Sequence, residues 1–450
     1  MPYVLTVRLA SEHLDELSFL LCDRRIPLES PGLGPGDLFE AEERIEAHLD
    51  GLRFAGEPAH ELLVESLGSG DQDTVRAAAY ALASISEFDG GLDAAVAAFA
   101  RAEDQALPVY QAALKHASHG VLGKRLAKLL EHERALIRES CLEMLAYRRE
   151  LDGRTAVPFL EDVDPAVRRA AIAAIAAVGE PADAAALERV ALSGRESCAP
   201  EAMIALLRLG SVRALEACRS AVSAGGGGTS PLMLTALALA GGPGDRKLLE
   251  SKLRQPELKV AAAEALGIHG GLESVAPLLQ LLEEKEESVR LAAARSLYML
   301  AGAGPTETVD VPPDEEEPIE DATTSAPSGR PGAVPAHAAK VTKVSTGAPA
   351  WREWWEAHRA SFEPGLRHRR GKPFALGRCI ADLESPGRTL AIRRRTQWEL
   401  EIRSGQRFPF EPDAFVVRQK EGLAAWQAWW KENSARFPAG TWPFAGGAAV

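Results

Sequence analysis

Between residues 71 and 301 the apolar positions fall at helical spacing, and one short run keeps returning. Asp73-Thr74-Val75-Arg76-Ala77-Ala78 reappears as Asp164-Pro165-Ala166-Val167-Arg168-Arg169-Ala170-Ala171. It returns as Leu258-Lys259-Val260-Ala261-Ala262-Ala263 and as Val289-Arg290-Leu291-Ala292-Ala293-Ala294. Self-similarity at a fixed period marks a stack of identical structural units. Val75, Val109, Ile137, Val167, Cys198, Thr229, Leu258 and Val289 open the second helix of eight units, at intervals of 28 to 34 residues. That length holds two short helices and two turns. The pattern predicts an all-α, right-handed α-solenoid of helix pairs over 71–301.

Each residue type in the run has a physical task. Asp73 and Asp164 precede a helix and are placed to accept its free N–H groups. Pro165 stands at a first-turn position, where a missing N–H costs nothing. Valine and the small alanines let neighbouring helices approach closely. Arg76, Arg138, Arg168 and Arg290 recur at one position, which suggests a structural ladder reaching the acidic cap of the next unit.

The flanks read differently. Residues 1–70 form an N-terminal helical cap, with Leu14, Leu17, Phe19, Leu20 and Leu21 on one apolar face. A Pro/Gly-rich loop over 28–36 follows, and then Asp37 caps a second helix. A solenoid needs such an atypical end to shield its first core face. Residues 302–349 carry eight prolines, no aromatic residue and the acidic run Asp314-Glu315-Glu316-Glu317. This composition predicts a disordered acidic linker. Residues 351–450 are a Trp-rich helical C-terminal module containing all eight tryptophans of the chain.

Charge separates these regions. The formal net charge is −13, which disfavours nonspecific binding to DNA or anionic lipid. Residues 1–301 are strongly acidic, whereas the C-terminal module has an excess of basic residues. The five cysteines are odd in number and scattered, so the sequence predicts no disulfide framework, no metal site and a reducing compartment. No run approaches the roughly 18 apolar residues of a membrane span, so the expected location is the cytoplasm.

The C-terminal module contains a near-duplication. Trp351, Trp354, Trp355 and Phe362 match Trp426, Trp429, Trp430 and Phe437, offset for offset. Spacings of 0, 3 and 4 put the three indoles of each copy on one helix face. Such a face is either core or a partner-binding anchor. Arg369, Arg370, Arg393, Arg394 and Arg395 lie between the copies, and basic residues interleaved with aromatics suit nucleic acid. The acidic bulk of the chain argues against nucleic acid. The candidate partner-binding residues are these six tryptophans and five arginines.

The chemical constellations tested are incomplete. Gly365 to Lys372 has the wrong glycine spacing for a phosphate loop, and Pro373 stands where Ser or Thr is needed. Gly68-Ser69-Gly70 lacks the outer spacing of a nucleophile elbow. Gly225 to Gly228 reads as a plain turn. No catalytic, cofactor-binding or metal-ligating residue is assigned.

The Asp-x-x-Val-Arg-x-x-Ala-Ala run resembles HEAT repeats of the short, phycobilisome-lyase-like kind. Deoxyhypusine hydroxylase, an enzyme with HEAT repeats, uses four His-Glu pairs for a di-iron site. Only His60-Glu61 and His132-Glu133 are present here, so the resemblance does not carry that activity. The stretches Phe19–Arg25 and Glu43–Gly56, with Trp351 to Phe362 and Arg369-x-Gly371-x-Pro373, are similar to an uncharacterised proteobacterial HEAT-repeat family expanded in myxobacteria. Some members of that family are encoded near type VI secretion genes. The repeats and the acidic charge point to a non-enzymatic scaffold or adaptor that binds a basic or amphipathic protein partner, and the resemblance implies an accessory role in type VI secretion. Two alternatives are nucleic-acid binding by the C-terminal module, and a lyase-type or metal-dependent enzyme on the same scaffold.

Overall fold

The computed structural model describes residues 2–25, 28, 35–192, 198–224, 229–311, 339–385 and 389–444. The chain is an all-α solenoid of helix pairs. The second helices of the eight pairs are Gln72–Leu82, Leu107–His116, Ala135–Tyr147, Pro165–Val178, Ala199–Arg208, Pro231–Ala240, Lys259–His269 and Glu287–Ala301. Val75, Val109, Ile137, Val167 and Val289 lie in the first turn of one of these helices, and Cys198, Thr229 and Leu258 lie one or two residues before one. Several of the first helices are short and end in a 3-10 turn, as in Leu122–Ala127 followed by Lys128–Glu131.

The described chain divides into two compact units. The first holds Met1–Leu28, Pro35–Ala205 and the short segment Asp413–Gln419. The second holds Leu206–Pro412 and Lys420–Val450.

In both units the second helices are lined with buried alanine, as at Ala77 to Ala79, Ala170, Ala171, Ala262, Ala263 and Ala292 to Ala294. Small side chains bring backbones close, and Gly267 marks one such place. A Cβ there would lie 2.7 Å from the Cβ of Ser296. The Ser296 hydroxyl donates instead to the Ala263 carbonyl at 2.9 Å.

In the first unit the helices Pro2–Asp23, Pro35–Ala55 and Glu57–Ser66 precede the first full pair. Leu14, Leu17 and Leu20 are buried, but Phe19 is 59% exposed. Phe19 lies about 100° around the helix from Leu20, which turns it away from the buried face. The second helix begins at Pro35, ahead of the expected Asp37 cap. The rest of that loop and the Gly225–Gly228 turn lie outside the described residues.

The expectation of disorder over 302–349 fails at both ends of that stretch. Thr306–Val311 and Ala339–Val344 pair as an antiparallel ribbon, from Thr306 opposite Val344 to Val311 opposite Ala339. Alternating β-branched residues in Thr-Glu-Thr-Val and Val-Thr-Lys-Val suit a two-stranded ladder. The acidic run between the strands lies outside the described residues.

Within the second unit, residues from 374–410 and 423–437 form a small apolar core. Phe374, Leu376, Cys379, Ile380, Leu383, Leu400, Phe410 and Trp426 form it, flanked by Phe408, Trp429, Trp430 and Phe437. The helices Leu376–Glu384 and Leu390–Ser404 lie between the two tryptophan helices, Ala348–His358 and Val416–Asn433.

Candidate interaction sites

The ladder arginines mainly close their own turns. Arg138 Nη1 donates to the carbonyls of His132 and Glu133 at 2.8 and 2.9 Å. Arg168 makes the same pair with Asp162 and Val163, and Arg290 with Glu284 and Lys285. Each guanidinium reaches back five and six residues to carbonyls that the preceding short helix leaves unsatisfied. Arg138 also bridges forward, holding the Asp162 carboxylate through two bonds of 2.9 Å. Burial opposes ionisation of Asp162, but Arg138 and the Asp164 N–H outweigh it and hold the carboxyl below its usual range. The expected bridge to the next unit therefore holds at Arg138 and is replaced by a turn clamp at Arg168 and Arg290.

Arg76 pairs with Asp73 at 2.7 Å. Asp73 is not the cap of its helix. Asp71 takes that place, with an extended backbone and its carboxylate accepting from Asp73 and Thr74 N–H. Asp164 does cap its helix, accepting from Ala166 N–H at 2.7 Å.

The tryptophan duplication is also a structural duplication. Trp351 and Trp426 are fully buried, and the second and third indoles of each copy are half-buried. Trp355 packs on Phe362, and Trp429 and Trp430 on Phe437. Trp351 Nε1 donates to the Ser345 carbonyl at 2.7 Å, and its ring lies where a Cβ on Gly304 would be. The first tryptophan of each copy is thus core.

Most of the expected basic patch points inward. Arg369 reaches Glu399 at 2.5 Å and Asp382 at 3.3 Å, and Arg370 reaches Asp382 at 2.8 Å. Arg393 is buried against the Phe410 ring and donates to the carbonyls of Leu383 and Pro412. Arg394 is exposed and Arg395 half-buried. The physical reason is pairing. Buried carboxylates at Asp382 and Glu399 demand cations, and the nearest arginines supply them. Burial raises the pKa of Glu399, but Arg367, Arg369 and Arg403 outweigh it and hold the carboxyl at about 2.

Two arginines outside the expected set, Arg367 and Arg403, do the most within the second unit. Arg367 donates to the carbonyls of Ile268 and His269 at 2.8 and 3.0 Å, and its guanidinium lies 3.6 Å from the Phe374 ring centre. Arg403 donates to Ala238, Ala240 and Gly241. These are the carbonyl ends of Lys259–His269 and Pro231–Ala240. The hairpin His368–Arg369 with Lys372–Pro373 closes the end of Glu287–Ala301, where Arg370 and Gly371 N–H donate to Met299 and Leu300. Arg208, in turn, reaches the buried Glu401 carboxylate at 2.5 Å. The C-terminal module thus caps three successive helices. Positive charge at a helix C-terminus is favourable, and buried carbonyls need donors.

The first unit contains a second constellation, built around its short segment Asp413–Gln419. Arg24 pairs with Glu42 at 2.9 Å and donates to the Asp413 carbonyl at 3.0 Å. The Glu42 carboxylate accepts the Val416 N–H at 2.6 Å, at the first turn of Val416–Asn433. Burial raises the Glu42 pKa, partly offset by Arg24 and the Val416 N–H. Lys115 reaches the Asp413 carboxylate at 2.6 Å. The Phe415 ring stacks on Tyr80, meets His116 edge-on and lies 4.4 Å beneath Arg24. Burial, reinforced by Arg24 and Lys115, holds His116 well below its usual range, so the ring is neutral. Phe415 is half-buried and Val417 is 57% exposed.

These residues carry no motif. The signal was Arg24 and Lys115 beside apolar helix faces, each a charge that burial obliges to find a partner. The buried thiols of Cys141, Cys218 and Cys379 are each pushed up by burial to about 12, which suits packing rather than nucleophilic chemistry. Among the described residues no group of three or more His, Cys, Asp or Glu is arranged to hold a metal ion. No described helix is long and apolar enough to cross a membrane.

No family model matches the chain, and no curated protein matches it. Among solved structures, an engineered protein aligns at 18% identity over 64% of this chain and 89% of its own, with a TM-score of 0.27. Kap121p aligns at 13% identity over 60% of this chain, also with a TM-score of 0.27. This chain covers 42% of the Kap121p chain.

Proposed function

We propose that the chain is a non-enzymatic protein-interaction scaffold. The observation that carries this reading is the first unit's hold on Asp413–Gln419. The N-terminal cap and the first repeats there hold a short polypeptide segment by its main chain, one acid and one aromatic ring. The same surface chemistry serves recognition of another protein. The net charge of −13 supports a partner with a basic or amphipathic face, with electrostatics setting on-rate and specificity. Similarity to the myxobacterial HEAT-repeat family supports an accessory role in bacterial type VI secretion, exerted from the cytoplasm. Burial of Arg393 and the ion pairs of Arg369 with Glu399 and of Arg370 with Asp382 reduce the charge that the C-terminal module can offer to nucleic acid.

Affinity capture with the full chain from its native host, with and without nuclease, tests the reading. A single dominant protein that survives nuclease and weakens between low and near-physiological salt is the expected result. A set of partners that vanishes with nuclease would reject the scaffold in favour of nucleic acid.

A further inference from the structure

The segment Asp413–Gln419 contributes no residue to the apolar core around Phe374, Phe410 and Trp426, although it lies between two of that core's residues in sequence. It is grouped instead with the first unit. The contacts it makes there are those of a bound peptide. Two main-chain groups, the Asp413 carbonyl and the Val416 N–H, are held by Arg24 and Glu42. One side-chain charge, on Asp413, meets Lys115. One ring, Phe415, enters a slot formed by Tyr80, His116 and Arg24. Main-chain bonds give affinity, and a single aromatic anchor with a charge two residues before it gives register and selectivity. Val417 and Arg418 face outward, so the segment lies on its cradle rather than threading through it.

We infer that this cradle is a recognition site for an acidic-x-aromatic-aliphatic segment of a partner protein, and that Asp413–Gln419 is its occupant in cis. The inference rests on the scaffold reading and deepens it. The chemistry of the seated segment defines the partner: a carboxylate for Lys115, any small residue, then an aromatic ring for the Tyr80–His116 slot, then a free N–H for Glu42. A partner segment of this kind competes with the cis segment, so the exposed fraction of the cradle sets its apparent affinity.

The test uses the full chain and a fluorescein-labelled peptide of residues 409–421. Fluorescence polarisation reads binding to the wild type and to Phe415→Ala, whose cis segment lacks its anchor. The expected result is weak binding to the wild type and at least tenfold tighter binding to Phe415→Ala. Binding should be lost when Lys115→Ala is added, or when the peptide itself carries Phe415→Ala. Circular dichroism and a cooperative melt confirm that each variant is folded. If Phe415→Ala does not fold, Asp413→Asn, which removes only the charge facing Lys115, is measured in the same way with the same expected gain. A folded variant that binds the peptide no better than the wild type overturns the inference. So does a wild-type dimer that free peptide splits into monomers, because the occupant is then a second copy of this chain. Neither result touches the scaffold reading, which stands or falls on the captured partner.

Discussion

The two units meet one demand in two ways. In the first, the carbonyl ends of helices are closed by arginines from the repeats themselves. Arg134 donates to Ala102 at 2.8 Å, Arg148 to Ala117, and Arg149 to Ala177 at 2.6 Å. These partners lie 28 to 32 residues apart in sequence, about one repeat. In the second unit, Arg367 and Arg403 close the equivalent ends from 99 and 163 residues away. Buried carbonyls require a donor wherever they occur, and the sequence distance of that donor is free to vary. A near donor makes each repeat self-sufficient. A distant one makes three helix ends depend on a single folded module.

The sharpest way to break this contrast is Glu399→Ala. It removes the carboxylate that pairs with both Arg367 and Arg369, leaving Arg369 with Asp382 and the buried Arg367 with main-chain carbonyls alone. Removing one partner of a buried pair costs about 3–5 kcal/mol. All eight tryptophans lie in 351–450, so urea unfolding followed by indole fluorescence should shift strongly, while hydrogen exchange in residues 35–192 stays unchanged.

Acid should act next in size. Burial lowers the His269 pKa to about 4, opposed by its bond to the Gly242 carbonyl and helped by Arg367 and Arg403. The unfolded chain takes up a proton near pH 6.5, whereas the folded chain does not until about pH 4. Stability from His269 is therefore complete above pH 6.5 and lost as pH falls towards 4, by about 3 kcal/mol. Glu399 adds a further loss below its ordinary carboxylate range. In His269→Gln the first of these losses should vanish from the pH dependence of the indole-detected melt.

A direct comparison of caps gives the smallest effect and the finest resolution. Arg403→Ala leaves three helix-end carbonyls without their donor, at about 2–3 kcal/mol for a charged donor. Arg149→Ala removes a single bond from a charged donor, at about 1.5 kcal/mol. Equal losses in the two melts would remove the distinction between local and distant capping.

Much of the fold was legible because repetition averages out local ambiguity. Eight anchors at nearly constant spacing fix eight second helices, even where Thr229 is a poor match. The ribbon over 306–311 and 339–344 was missed because composition over 48 residues masked two short alternating runs. At the C-terminal module the aromatic offsets predicted one buried indole and two half-buried ones per helix only as a shared face. The arginines misled for a clearer reason. A sequence shows charge but not the carboxylates that meet it, and Glu399 and Asp382 reach Arg369 only through the fold. The Phe415 cradle was legible only as two charges beside apolar helix faces, since its five residues, Arg24, Glu42, Tyr80, Lys115 and His116, are drawn from three helices and a turn.

The caps on the second unit's helices bind main-chain carbonyls, which every amino acid carries alike. Mutation can therefore rewrite the side chains of those helices without disturbing the caps, provided each helix stops at the same place. Inheritance of this architecture is concentrated in a few positions, chiefly Arg367 and Arg403, and the helices they hold remain open to divergence.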